Sequence, residues 1–93
     1  MQPLTTKTIS QLRSKAHHLK PIVSVGVLGV SASVISELDK ALNTHELVKV
    51  RLPSGAKSNK KQIVSLLCSS TKSTYIQIIG RIAIIYRQIE PKP

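Results

Sequence analysis

Phenylalanine and tryptophan are absent from these 93 residues, and Tyr75 and Tyr86 are the only phenolic rings. Any core must therefore be aliphatic. A sheet that reads RNA by stacking bases on several aromatic side chains is excluded. Cysteine occurs once, as Cys68, so no intrachain disulfide can form. Cys68 closes the run Ile63-Val64-Ser65-Leu66-Leu67-Cys68, which reads as a helix with a buried face. A thiol there fills space, and nothing around it would lower its pKa for catalysis. Asp and Glu together number four. They offer no paired carboxylates and no Ser–His–Asp constellation, so no enzyme is expected. His17 and His18 are helix neighbours pointing about 100° apart, and His45 stands alone, so neither a metal site nor a cofactor is expected. No GxxxxGK[ST] phosphate loop occurs. No segment approaches the roughly 18 apolar residues of a membrane span, and the start, Met1 to Lys7, lacks the apolar stretch of a secretory leader. A cytoplasmic protein with no membrane partner is the expectation.

Positive charge is what the sequence has in excess. Fourteen Lys and Arg give a formal net charge of +10. Such an imbalance repels itself in a compact chain and favours a polyanionic partner, nucleic acid before membrane. Apolar residues make up 41% of the chain, enough for one modest core and one domain over residues 1–93.

Periodicity places the elements. Thr5 or Thr6 can cap a first helix, whose apolar stripe is Ile9, Leu12, Ala16 and Leu19, stopped by Pro21. Ile22-Val23-Ser24-Val25 reads as a strand, followed by the loop Gly26-Val27-Leu28-Gly29. Ser31 can cap a second helix with Val34, Ile35, Leu38, Ala41 and Leu42 on its apolar face, ending at Asn43-Thr44-His45. Leu47 to Leu52 alternates as a half-buried strand, Val48, Val50 and Leu52 against Lys49 and Arg51. Pro53-Ser54-Gly55 is a turn. A third helix spans about residues 58–70 and buries Ile63, Val64 and Leu67. Lysines in its first turn oppose the helix dipole, a local rule broken without visible gain. Thr74 to Ile79 and Ile82 to Arg87 form a hairpin about Gly80-Arg81. The fold class is α/β, in the order α-β-α-β-α-β-β. A four-stranded mixed sheet packs with three helices, its early strands parallel and the hairpin adding an antiparallel edge.

Charge is segregated along the chain. Residues 1–30 and 47–61 contain bases and no acid, whereas residues 31–46 hold three of the four acids. Segregation of this kind points to a binding face for a polyanion, with a solvated basic surface that has no dedicated partner as the alternative. The Gly26-to-Gly29 loop leaves a strand and enters a helix, where glycines admit close backbone approach and the helix start offers N–H donors to a phosphate. A tight turn needing glycine only for its backbone angles explains the loop equally well.

Three separated blocks resemble the CRM domain (chloroplast RNA splicing and ribosome maturation). The first is Leu12-Arg13-Ser14-Lys15-Ala16-His17-His18-Leu19-Lys20-Pro21-Ile22-Val23, then Val25-Gly26 and Gly29. The second is Ala41-Leu42-Asn43-Thr44-His45-Glu46-Leu47-Val48-Lys49-Val50. The third is Ile78-Ile79-Gly80-Arg81-Ile82-Ala83-Ile84-Ile85-Tyr86-Arg87. The likeness covers residues 5–88, and the stand-alone length is similar to bacterial YhbY-like members. It implies a fold akin to the C-terminal domain of bacterial initiation factor three. It also implies RNA binding, with large-subunit ribosomal precursors and their rRNA as partner and assembly as the purpose.

Carried over by position, the GxxG loop falls on Gly26, Val27, Leu28 and Gly29. The basic first helix falls on Arg13, Lys15, His18 and Lys20, and the hairpin's basic positions on Arg81 and Arg87. Val27 and Leu28 depart from the family's basic and polar pair, so the loop itself supplies no charge. Lys72-Ser73 departs too, standing where relatives often place a glycine. Lys49, Arg51, Lys60 and Lys61 join the candidate RNA contacts from charge segregation alone. The expected state is a monomer. A small basic DNA-compacting protein of chromatin type is the alternative, ahead of a membrane or protein-interaction module.

Overall fold

The computed structural model describes residues 5–26, 29–53 and 60–88. Helix α1 covers Thr6–Ala16, and the Thr5 hydroxyl accepts the Thr8 N–H at 3.1 Å as its N-cap. The regular helix stops three residues short of Leu19. From there i→i+3 bonds carry the chain on, Leu19 N–H to the Ala16 carbonyl at 3.0 Å among them, the tighter turn that helix ends adopt. Leu19 consequently leaves the apolar stripe and lies 38% exposed.

Strand β1 is only Val23–Ser24, parallel to β2, Leu47–Arg51. Helix α2, Ala32–His45, runs between them, with Ser31 as N-cap accepting the Val34 N–H. Helix α3 is Lys60–Thr71, and β3, Thr74–Ile79, and β4, Ile82–Tyr86, complete the chain. The expected turn at Ser54-Gly55 and the expected helix start near residue 58 lie outside the described residues.

The sheet order is β1-β2-β4-β3. The hairpin is thus not an appendage. Its second strand inserts beside β2, and β3 is left at the edge. Burial explains the choice. In β4, Ala83, Ile84 and Ile85 are all buried, the continuous apolar run of a strand covered on both faces. In β3, Tyr75 and Ile79 are about half exposed. A bulge at Tyr75–Gln77 breaks the β3 register, which blunts an edge against further pairing. Gly80 alone of the two turn residues has positive φ, at 58°, matching a hairpin whose first turn position demands glycine.

Three layers result. On one face, Leu12 and Ala16 of α1 pack on Leu47, Ile76 and Ile84. On the other, Leu38, Leu42, Val64 and Leu67 of α2 and α3 pack on Val23, Val48, Val50, Leu52, Ala83 and Ile85. The core is aliphatic, as composition requires. Each fully buried Leu or Ile contributes about 1.5–3 kcal/mol.

Two polar devices tie the layers, and a third ends α3. The Arg87 guanidinium donates to the Asp39 carboxylate at 2.7 Å, the Thr71 carbonyl at 2.7 Å, the Asp39 carbonyl at 3.0 Å and the Asn43 side chain at 2.7 Å. One residue at the exit of β4 therefore holds α2 and the end of α3. Lys60 donates to the Gly80 carbonyl at 2.9 Å. That is the gain that offsets its unfavourable place in the first turn of α3. Lys72 ends α3 with φ of 54°, and the Ser73 N–H reaches the Cys68 carbonyl at 2.9 Å. This is the left-handed cap of a Schellman motif, a conformation that glycine adopts without cost.

Replacing Arg87 with Ala should lower unfolding free energy by about 2 kcal/mol in urea titration, since half-buried acceptors lose their donors. Arg87→Lys should recover little, because one ammonium cannot reach acceptors on both α2 and α3. Lys72→Gly should act oppositely, adding about 1 kcal/mol and raising Tm by about 5 °C.

Candidate nucleic-acid interface

The layered core forces charge outward, and the topology decides where it gathers. Two clusters form at opposite ends of β2. At its start, the segment after α1 brings His18 and Lys20 against Lys49, and the last turn of α2 adds His45. Together with Leu19, Ile22, Leu47 and Val48 they line a cleft of about 170 Å³ whose lining includes no acid. Sequence reading missed His45. Two of its partners, His18 and Lys20, are 27 and 25 residues away along the chain, so only packing reveals the cluster. Arg13 and Lys15, exposed in the last turn of α1, extend this basic surface.

At the other end of β2 lie Arg51, the glycine turn and the hairpin turn. The Val25 N–H bonds the Arg51 carbonyl at 2.8 Å, which fixes Gly26 beside the end of β2. The Leu52 N–H bonds the Arg81 carbonyl at 2.6 Å, and Arg81 Nε returns to the Leu52 carbonyl at 3.3 Å. Lys60, held on Gly80, completes the group, whereas exposed Lys61 lines a groove between α3 and β3.

Lys49 and Arg51 alternate onto the α1 face of the sheet, opposite Ile84 and Ile82. Helix α1 covers the Leu47 end of that face. Lys49 is consequently half-buried at the helix margin, whereas Arg51 is exposed. The two residues, about 7 Å apart along the strand, link the clusters.

The glycine turn differs from the expected helix-end cradle. The Gly29 N–H is bonded to the Gly26 carbonyl at 2.9 Å, so this donor is taken within the loop. Gly29 has φ of 88°, a backbone requirement in its own right. Two residues, Val30 and Ser31, then separate the turn from α2, whose first turn Ser31 already caps. Val27 and Leu28 lie outside the described residues. Arg87 belongs to neither cluster, because its guanidinium is engaged by α2 and α3, with its side chain only 16% exposed.

Among the described residues, two titratable groups are perturbed. Burial pushes the Cys68 thiol up from its ordinary value, and a hydrogen bond with the Ser73 side chain opposes this in part. Tyr86 is likewise raised, by burial and by the nearby Glu46 carboxylate. Neither is poised as a nucleophile at neutral pH. Among the described residues, no helix is long and apolar enough to cross a membrane.

A small α/β domain with basic clusters at both ends of its second strand is the class that fold and surface define. The chain belongs to the CRS1/YhbY (CRM) domain family, whose model matches residues 4–87. It is 39% identical over 90 residues to a protein of Pseudomonas aeruginosa named "Probable RNA-binding protein", covering 97% of this chain and 86% of that one. An RNA-binding protein of Haemophilus influenzae is 38% identical over 90 residues, covering 97% and 91%. The solution structure of a Staphylococcus aureus protein, described as a candidate RNA binder, superposes with a TM-score of 0.83 at 33% identity, covering 98% of this chain and 95% of that one.

The raised Cys68 pKa has a direct consequence. A folded-state pKa above the ordinary value means less thiolate at every pH below it. Iodoacetamide should modify Cys68 more slowly than a free thiol at pH 8, the rate still climbing at pH 9, and the difference should vanish in denaturant.

Proposed function

We propose that this protein is a monomeric, cytoplasmic, non-catalytic RNA-binding module that associates with the rRNA of large-subunit ribosomal precursors and assists their assembly. The observation that carries the RNA reading is the convergence of His18, Lys20, His45 and Lys49 on one cleft with no acid in its lining. A cleft of that kind suits a phosphate oxyanion. A chain of net charge +10 gains most when a polyanion releases its counterions on binding. Kinship with proteins named as RNA-binding supports RNA over DNA.

The contacts we propose are Arg13, Lys15, His18, Lys20, His45 and Lys49 at one end, joined through Arg51 to Arg81 and the Gly26 to Gly29 turn at the other, with Lys61 on the α3 side. Lys60 contributes charge while holding the hairpin turn. Arg87 is left out, its donors being committed within the fold.

Affinity for a structured rRNA fragment should fall steeply with salt. Lys49→Ala and Arg51→Ala should each weaken binding and reduce the slope of log K against log salt by about one. An unchanged slope removes that residue from the interface, and tighter binding to duplex DNA of equal length overturns the RNA reading. For the ribosomal partner, the protein should co-sediment with large-subunit particles on a low-salt sucrose gradient and leave them as salt rises. Confinement to the top of the gradient contradicts the assembly role and leaves RNA binding to stand on its own measurement.

A further inference from the structure

On the side of the sheet away from the Lys49–Arg51 surface, a groove of about 760 Å³ runs between α3 and edge strand β3. We propose that this groove takes unpaired nucleotides of the bound RNA, with a base stacked on Tyr75 and flanking phosphates met by Lys61 and Lys72. The inference rests on the RNA reading above and specifies which RNA form this second surface recognises.

The α3 wall is set by helical spacing. Lys61, Ser65, Cys68 and Lys72 recur at intervals of four, three and four residues, so one face of the helix and its cap lines the groove. The two lysines mark its ends, about 16 Å apart at 1.5 Å per residue. Val64 and Ile78 supply apolar surface at its base, and no acid contributes to the lining. From the opposite wall comes Tyr75, 49% exposed. The β3 bulge lies at Tyr75–Gln77, and such bulges re-aim side chains.

Charge complementarity selects the occupant. Cations at both ends and a half-exposed ring between them match a single strand, which offers a phosphate on either side of a base free to stack. A paired helix offers phosphates without a free base face. Lys72 adds an independent observation. It holds a left-handed backbone conformation, φ of 54°, at a cost of about 1 kcal/mol relative to glycine. The fold thus tolerates strain at the position that puts a cation at the groove's end, and strain of this sort gathers at functional sites.

The test compares a 12-nucleotide single-stranded RNA with a blunt-ended, fully paired RNA duplex of equal length, by fluorescence anisotropy, for the full chain and its variants. Tyr75→Ala should weaken single-strand binding about tenfold and leave duplex binding unchanged, while Tyr75→Phe, which keeps the ring, should restore the wild-type value. Lys72→Gly should weaken the single strand while making the protein more stable, so that unfolding cannot account for the loss. Equal losses on both RNAs, or no loss on either, would overturn the groove assignment while leaving RNA binding intact. The same loss with an oligoglutamate peptide would reassign the groove to acidic protein. Failure of the wild-type chain to bind either RNA would instead strike at the RNA reading itself.

Discussion

Everything in this fold depends on covering β4 from both sides. Ala83, Ile84 and Ile85 are consecutive and buried, so no single layer of helices can satisfy them. Ile84 demands α1, and Ala83 and Ile85 demand α2 and α3. Without Phe or Trp, no one side chain supplies a large share of the core. Stability is spread over many Leu, Ile and Val contacts, each sensitive to loss of a methylene. Arg87, immediately after β4, adds direction to that packing. Its backbone N–H bonds the Glu46 carbonyl at 2.8 Å, and its side chain reaches Asp39, Thr71 and Asn43. The strand is thereby locked in register with the helices that cover it.

The same layering sorts the charges. Moving an ammonium or guanidinium into an apolar layer costs several kcal/mol unless it is fully partnered. Arg87 meets that condition, and the remaining cations stay on helix surfaces and at strand ends. Short strands make those ends close neighbours of the loops, so residues distant in sequence meet there. His18 and His45 approach through Lys49, and Arg51 and Arg81 through the pairing of β2 with the hairpin. The acids follow the opposite course. Glu37 and Asp39 stand on α2, and Asp39 is drawn towards Arg87.

Two basic clusters and a groove on the opposite side suggest a division of labour. The clusters answer to charge density, which any phosphate backbone supplies. The groove, with a ring between two lysines, answers to an exposed base. A protein that engaged both would favour RNA in which a helix gives way to an unpaired segment. The chain has little aromatic surface for stacking, which makes the position of Tyr75 on the edge strand matter more than its identity alone would suggest.

Much was legible in the sequence because it is local physics. Thr5 and Ser31 cap α1 and α2 as their side chains predict, Gly80 turns the hairpin, and the alternation of Val48 and Val50 with Lys49 and Arg51 sets the faces of β2. The excess of positive charge and the family resemblance were equally plain. What the sequence could not determine were the pairings between distant segments. That β4 and not β3 sits beside β2 follows from which strand must be buried twice, a property of the whole assembly. That Arg87 is a clamp, that Lys60 holds Gly80, and that His45 joins the cleft depend on side chains meeting across 16 or more residues. Local propensity determines elements and faces. Only tertiary packing decides which cations are consumed within the fold and which remain for a partner, because desolvation and hydrogen bonding act on neighbours in space.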